Sequence, residues 1–126
     1  MAATRSNASS TEKERYALGF APLGVSVCVL CNEECDRNLP ATDPNGFQLG
    51  HVKADTNGGR FEWSNLAPMC RACNVILGDE DADPARFHFD PWATYTLPTL
   101  SEARASLATR REATGRAYTR KAGKWL

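Results

Sequence analysis

No stretch of the 126-residue sequence approaches the roughly 18 consecutive apolar residues that a membrane-spanning helix needs. The first ten residues are small and polar rather than a charged start followed by a hydrophobic run, so they do not read as a signal peptide. There is also no internal repeat. These absences argue against membrane partners and secretion, and they predict a cytoplasmic protein.

The sequence likewise has no net charge, but its charges are unevenly spread. Residues 61–100 carry two basic and six acidic side chains, whereas residues 101–126 carry seven basic and two acidic ones. Basic groups suit the phosphates of nucleic acid, so we expect the C-terminal segment to contact it. The plainer alternative is that these arginines form only a solvated helix face.

The length suits one compact domain. We expect a disordered start over residues 1–10, a folded domain over residues 11–100, and a basic helix and tail over residues 101–126. Helices are predicted over residues 11–18, 71–77 and 101–114. Strands are predicted over residues 25–30, 47–53 and 61–63, with an extended stretch over 65–69 and irregular packing over 87–97.

Cysteine is the most informative residue type. Four of the five cysteines form two Cys-x-x-Cys pairs, Cys28 with Cys31 and Cys70 with Cys73. A two-residue gap lets both sulfurs of a pair approach one tetrahedral ion, so the pattern predicts a closed structural zinc site. A thiol redox enzyme fits less well, because two pairs around a long insertion suit zinc better than disulfide exchange. Cys35 is expected to be a free thiol.

A second motif lies between the cysteine pairs and just after them. His51 lies in the strand predicted over residues 47–53, a glycine turn follows at residues 57–59, Asn65 precedes the second pair, and Asn74 comes directly after Cys73. In this order, residues 28–78 resemble the HNH endonuclease family. The resemblance implies a small α+β fold, in which a ββα-metal core is held by the four-cysteine zinc site and has flanking helices.

The resemblance also implies a role for each residue of the motif. His51 would be the general base that deprotonates the attacking water. Asn74 would offer its amide oxygen to a catalytic Mg²⁺ or Mn²⁺ ion. Asn65 would tie the loop to the strand by side-chain hydrogen bonds. The implied substrate is DNA, and the small stand-alone members of the family suggest a bacterial or bacteriophage setting.

One position departs from the family pattern. The residue before the catalytic histidine is commonly Asp or His and supplies a metal ligand, but here it is Gly50. Asp55 and Asp79 are candidate replacements, and Arg71 or the tail is a candidate phosphate contact. The interpretation is therefore a metal-dependent DNA endonuclease. The alternative is a weak or inactive zinc module of this family that binds nucleic acid or protein.

Overall fold

The computed structural model describes residues 9–40, 42–113, 118–119 and 124–125. Residues 1–8 of the expected disordered start, and residues 114–117, 120–123 and 126 of the expected basic tail, lie outside the described part. The helices are α1 (Ser10–Phe20), α2 (Arg71–Leu77), α3 (Pro91–Thr94) and α4 (Leu100–Ala113). The strands are β1 (Val25–Val27), β2 (Glu34–Asp36), β3 (Phe47–His51), β4 (Leu66–Cys70), β5 (Tyr118–Thr119) and β6 (Lys124–Trp125). This is the small α+β fold predicted from the sequence.

The antiparallel β3–β4 hairpin is the centre of the fold. Its register pairs Phe47 with Cys70 and His51 with Leu66. All five residues of β4 are buried, so this strand is covered on both faces. Helix α2 begins directly after β4 and ends at Gly78, which gives the β-β-α order that the resemblance implies.

Two hydrophobic clusters lie against the hairpin. One contains the buried cysteines with Val29, Ala67 and Met69, and Phe87 and Phe89 pack on it. The other contains Tyr16, Phe20 and Leu66 and continues into half-buried aromatic side chains. The hairpin therefore separates a cysteine-rich core from an aromatic core.

The aromatic residues mainly serve this packing. Trp63 stacks on Phe20 with ring centroids 4.0 Å apart. The indole N–H of Trp92 donates to the carbonyl oxygens of both Trp63 (2.8 Å) and Leu66 (3.0 Å). The segment that follows α2 is thereby fixed to the start of β4.

Helix α1 packs against α4 around one buried carboxylate. Glu14 accepts hydrogen bonds from the Arg37 guanidinium at 2.6 Å and from the Ser106 hydroxyl at 2.7 Å. Arg110 lies 3.8 Å from the same carboxylate. One anion on α1 therefore joins α1, α4 and the loop after β2.

The structure contains the three predicted helices, two of the three predicted strands and the extended stretch at residues 65–69, but β2, β5, β6 and α3 were not predicted. The strand expected over residues 61–63 is wrong, since Trp63–Asn65 is a 3-10 turn. The irregular stretch expected over 87–97 contains α3, whose first turn is capped by the Asp90 side chain. Among the described residues, no helix combines the length and the apolar character that crossing a membrane requires.

Candidate active site and metal centre

The two cysteine pairs meet in one cluster. The Sγ atoms of all four residues lie within 4.8 Å of one another, and those of Cys31 and Cys70 are 3.9 Å apart. Four thiolates bound at about 2.3 Å to one tetrahedral zinc ion would be about 3.8 Å apart. The cluster therefore fits a metal ion such as zinc, with four sulfur ligands and no open coordination position.

Backbone hydrogen bonds shape both halves of this cluster. The carbonyl of Cys28 accepts from Asn32 N at 2.8 Å, and Asn32 adopts a left-handed φ of 64° in the turn. Cys70 caps α2, and its Sγ accepts from Cys73 N at 3.4 Å. Val29 N donates to Pro68 O at 3.0 Å and joins the two halves.

The thiol groups differ in how readily they ionise. Burial raises the pKa of Cys31 and Cys73 above the ordinary value. Burial also acts against the Cys28 thiolate, but backbone hydrogen bonds, led by that from Cys70, hold the pKa of Cys28 below the ordinary value. Since sulfur binds a metal ion as the thiolate, the charge of the ion is needed to keep all four ligands deprotonated.

Cys35 is separate from this cluster. Its side chain is free and buried, and it is not one of the four residues that could share an ion. Burial raises the pKa of the Cys35 thiol to about 12. The expectation of a free thiol is confirmed, and a buried, protonated thiol is chemically inert.

His51 lies at the end of β3, where the strand leaves the hairpin. Strand residues alternate between the two faces, so His51 shares a face with Phe47 and Leu49. Its ring centroid lies 5.9 Å from that of Phe61. The imidazole is half-exposed, which suits a group that must reach both solvent and substrate.

Asn65 fixes the chain that follows His51. Its Oδ1 accepts from Lys53 N at 2.8 Å, and its Nδ2 donates to the carbonyls of Lys53 (3.1 Å) and Arg60 (3.0 Å). Gly59 lies against the same loop, and a Cβ there would be 1.8 Å from Lys53 O. The hydrogen bonds expected for Asn65 from the sequence are present. The turn has a glycine at position 59 because a side chain there would collide with the carbonyl of Lys53.

Asp81 takes part in the same loop, although the sequence analysis did not single it out. Its Oδ1 accepts from Ala54 N at 2.8 Å and from the side chain of Asn57 at 2.9 Å. The hydrogen bond from Asn57, together with that from Ala54, lowers the pKa of the Asp81 carboxyl. Nothing in the local pattern of acidic residues 79–83 distinguishes this one, because its partners lie more than twenty positions earlier.

Asn74 lies on α2 against β3. Its Nδ2 donates to Gln48 Oε1 at 2.8 Å, and this bond leaves the amide oxygen as the group available to a cation. Gln48 is a second residue that the sequence analysis missed, since a glutamine in a short strand carries no recognisable motif. The hydrogen bond ties the helix that carries Asn74 to the strand that carries His51.

The space beside Gly50 is filled. A Cβ at position 50 would lie 2.1 Å from the Sδ atom of Met69, and Met69 is fully buried. Replacing the glycine with Asp or His would therefore require Met69 to move. The missing ligand of the family pattern reflects a tightly packed core at this position.

The described residues offer little else to a second metal ion. Apart from the four cysteines, no group of three or more His, Cys, Asp or Glu side chains in the described ranges lies close enough to share an ion. Neither Asp55 nor Asp79 belongs to such a group. The hydrogen bond to Gln48 uses the amide nitrogen of Asn74 and not its oxygen, and an ion at that oxygen would need further oxygen ligands from substrate and water.

Comparison with known families agrees with this geometry. The sequence model described as HNH endonuclease matches residues 27–80, from the start of the first cysteine pair to just beyond α2. Residues 27–80 therefore carry the sequence pattern of the HNH endonuclease family. Searches of the curated proteins and of the solved structures gave no significant match.

Removing the metal should unfold the domain. Binding at a structural zinc site contributes on the order of 10 kcal/mol, which is comparable to the whole stability of a small domain. We expect chelator treatment to abolish the cooperative thermal transition seen by circular dichroism, and added zinc to restore it. A Cys35→Ser variant should keep one zinc per chain. An unchanged transition after complete metal removal would contradict the assignment.

The packing of Gly50 against Met69 predicts a coupled pair. Gly50→Ala should lower the free energy of unfolding by about 1–3 kcal/mol, because the added methyl group overpacks the core. With Met69→Ala as the second change, the two effects should fall short of additivity by about 1 kcal/mol or more. Urea denaturation of zinc-loaded protein measures the free energy of unfolding of each variant, and from these values the deviation from additivity.

A matched cycle pairs Gly50→Ala with Phe20→Leu, which lies in the other core cluster. In this cycle the changes in the free energy of unfolding caused by the two substitutions should add. Additive effects in the Met69 cycle would show that the methionine does not restrict position 50.

Proposed function

We propose that this chain is a metal-dependent endonuclease that hydrolyses DNA phosphodiester bonds with His51 as general base. The observation that carries the proposal is the position of His51 at the end of β3, with Asn65 fixing the loop directly after it. Both belong to the segment that matches the nuclease family. The four-cysteine cluster would hold structural zinc, which leaves the chemistry to the hairpin and α2.

The proposed reaction needs one proton acceptor beside the scissile phosphate. Histidine is the side chain whose ordinary pKa lies closest to neutrality, so its neutral form is available to accept a proton. The imidazole of His51 takes a proton from water as the water oxygen attacks phosphorus. The bond from phosphorus to the 3′ oxygen breaks, and the products carry a 5′ phosphate and a 3′ hydroxyl.

Asn74 is the residue that would hold a Mg²⁺ or Mn²⁺ ion. When bound, such an ion neutralises charge on the phosphate and on the departing oxygen. The hydrogen bond to Gln48 sets the orientation of the Asn74 amide, so that its oxygen is the free end. Because Gly50 adds no ligand, we expect the ion to bind weakly in the absence of DNA.

A non-catalytic zinc module that binds nucleic acid or protein is the second candidate. The side chain of Met69 favours it, because it fills the space where a ligand from position 50 would start. A domain of this kind would keep the cysteine cluster and the hairpin without cleaving anything. It would also be indifferent to the identity of residue 51.

Replacing His51 separates the two candidates. His51→Ala should reduce nicking of supercoiled plasmid by about 100-fold or more, because general-base catalysis typically contributes 10²–10⁴-fold. Nicking is followed on gels with EDTA, Mg²⁺ or Mn²⁺, at matched zinc content. His88→Ala is the control, since His88 is the only other histidine and its side chain is exposed.

Equal nicking by wild-type protein and His51→Ala would remove His51 from the mechanism. Wild-type protein that binds DNA but cleaves it with none of these ions would identify the non-catalytic module.

Gln48 should affect the metal dependence of the reaction. Gln48→Ala removes the acceptor that orients Asn74, and loss of such an outer partner commonly weakens metal binding by 10–100-fold. We expect the Mg²⁺ concentration for half-maximal nicking to rise about tenfold. Gln48→Glu keeps an acceptor oxygen, so its Mg²⁺ concentration for half-maximal nicking should lie close to that of the wild type. If both variants match the wild type across the Mg²⁺ titration, Gln48 does not position Asn74.

A further inference from the structure

A cavity of about 480 Å³ opens between helix α1 and strand β3. Helix α1 forms one wall with Lys13 and Glu14, and the hairpin forms the floor with Phe47 and Leu49. Phe61 and Arg37 close the sides. The volume falls within the range of small-molecule binding sites.

The cavity continues the face of β3 that carries the proposed general base. Phe47, Leu49 and His51 alternate along one strand and point to the same side. Phe61 belongs to the cavity wall, and its ring lies 5.9 Å from that of His51. A group bound in the cavity would therefore lie next to the bond on which His51 is proposed to act.

The walls are apolar and aromatic. Phe47, Leu49 and Phe61 are each only half-buried, so part of each side chain faces the cavity. Phe61 is supported from behind by Tyr16, with ring centroids 5.4 Å apart. A supported, partly exposed aromatic ring is the surface on which a nucleobase stacks.

The charged groups around the cavity favour an anion. Glu14 is already neutralised, because Arg37 and Arg110 both approach its carboxylate and Ser106 donates to it. The side chains of Glu14 and Arg37 are 7% and 8% exposed, so this pair is buried in the wall. Lys13 is exposed at the rim. Lys13 and Arg37 against the one carboxylate of Glu14 leave this wall with a net positive charge, which complements a phosphate.

We propose that this cavity holds one unpaired nucleotide of the nucleic-acid substrate, with its base on Phe61 and its phosphate at Lys13. The inference rests on the proposed function in taking nucleic acid as the substrate. A base inside a duplex is stacked and paired, and extruding it costs a few kcal/mol. The protein therefore prefers DNA with an unpaired base beside the cleaved bond, such as a mismatch, a gap or a single strand.

Binding without cleavage tests the proposal. Zinc-loaded full-length His51→Ala protein is titrated in EDTA against two fluorescein-labelled DNA duplexes of equal length, one fully paired and one with a single-nucleotide bulge. We expect the bulged duplex to bind about tenfold more tightly by fluorescence anisotropy, the effect of one stacked base. Equal affinity for the two duplexes would overturn the proposal.

Two further substitutions in the same background locate the preference. Lys13→Ala removes an exposed cation without touching the core, and Phe61→Leu removes the aromatic face while keeping an apolar side chain. Each should reduce the tenfold preference to less than about threefold. Arg86 is an exposed cation outside the cavity wall, so Arg86→Ala should leave the tenfold preference for the bulged duplex unchanged. A preference that survives both Lys13→Ala and Phe61→Leu would place the unpaired nucleotide elsewhere.

The outcome is separable from that of the proposed function. Wild-type protein that nicks plasmid but shows no preference for the bulge retains the nuclease assignment and loses the cavity assignment. If the protein prefers the bulged duplex but wild-type protein does not nick plasmid, the cavity assignment is retained and the nuclease assignment is lost. An acidic, aromatic peptide whose binding is lost with Lys13→Ala and with Phe61→Leu, while the preference for the bulged duplex survives both changes, would assign the cavity to a protein partner and overturn the nucleotide proposal.

Discussion

The convergence of two distant cysteine pairs is the constraint on which the rest of the structure depends. The first pair precedes the hairpin and the second ends it, so a shared ion closes the chain around β3 and β4. Cys70 has three roles, as a sulfur ligand in this cluster, the last residue of β4 and the cap of α2. Strand β4, helix α2 and the cysteine cluster therefore meet at one residue, and α2, which carries Asn74, begins directly after it.

The hairpin then divides the molecule into two chemically different sides. The cysteine cluster and Met69 lie in one core, and α1 with the aromatic residues forms the other. Gln48 and Gly50 belong to one strand face, while Leu49 and His51 belong to the opposite one. The proposed base lies on β3 and the proposed ion ligand on α2, and the hydrogen bond from Asn74 to Gln48 joins these two elements.

Much of this arrangement was predictable because it depends on short-range patterns. The cysteine spacing, the cap at Gly78 and the amide of Asn65 are local signals, and α2 occupies the predicted residues 71–77. The Gln48–Asn74 contact, the loop bond of Asp81 and the packing of Met69 on Gly50 join residues far apart in sequence. No periodicity or spacing encodes them, since they depend on which side chains the folded backbone brings together. The predicted strand at residues 61–63 was wrong for the same reason, because tertiary contacts of Trp63 and Asn65 override local propensity.

The contact between Gly50 and Met69 also bears on how this domain can change over evolutionary time. Glycine and aspartate codons can differ by a single nucleotide, yet a carboxylate at position 50 would enter space held by the methionine. The larger residue at 69 must give way before the acidic one is tolerated at 50, so the order of the two substitutions matters. A change at position 50 therefore depends on which residue occupies position 69.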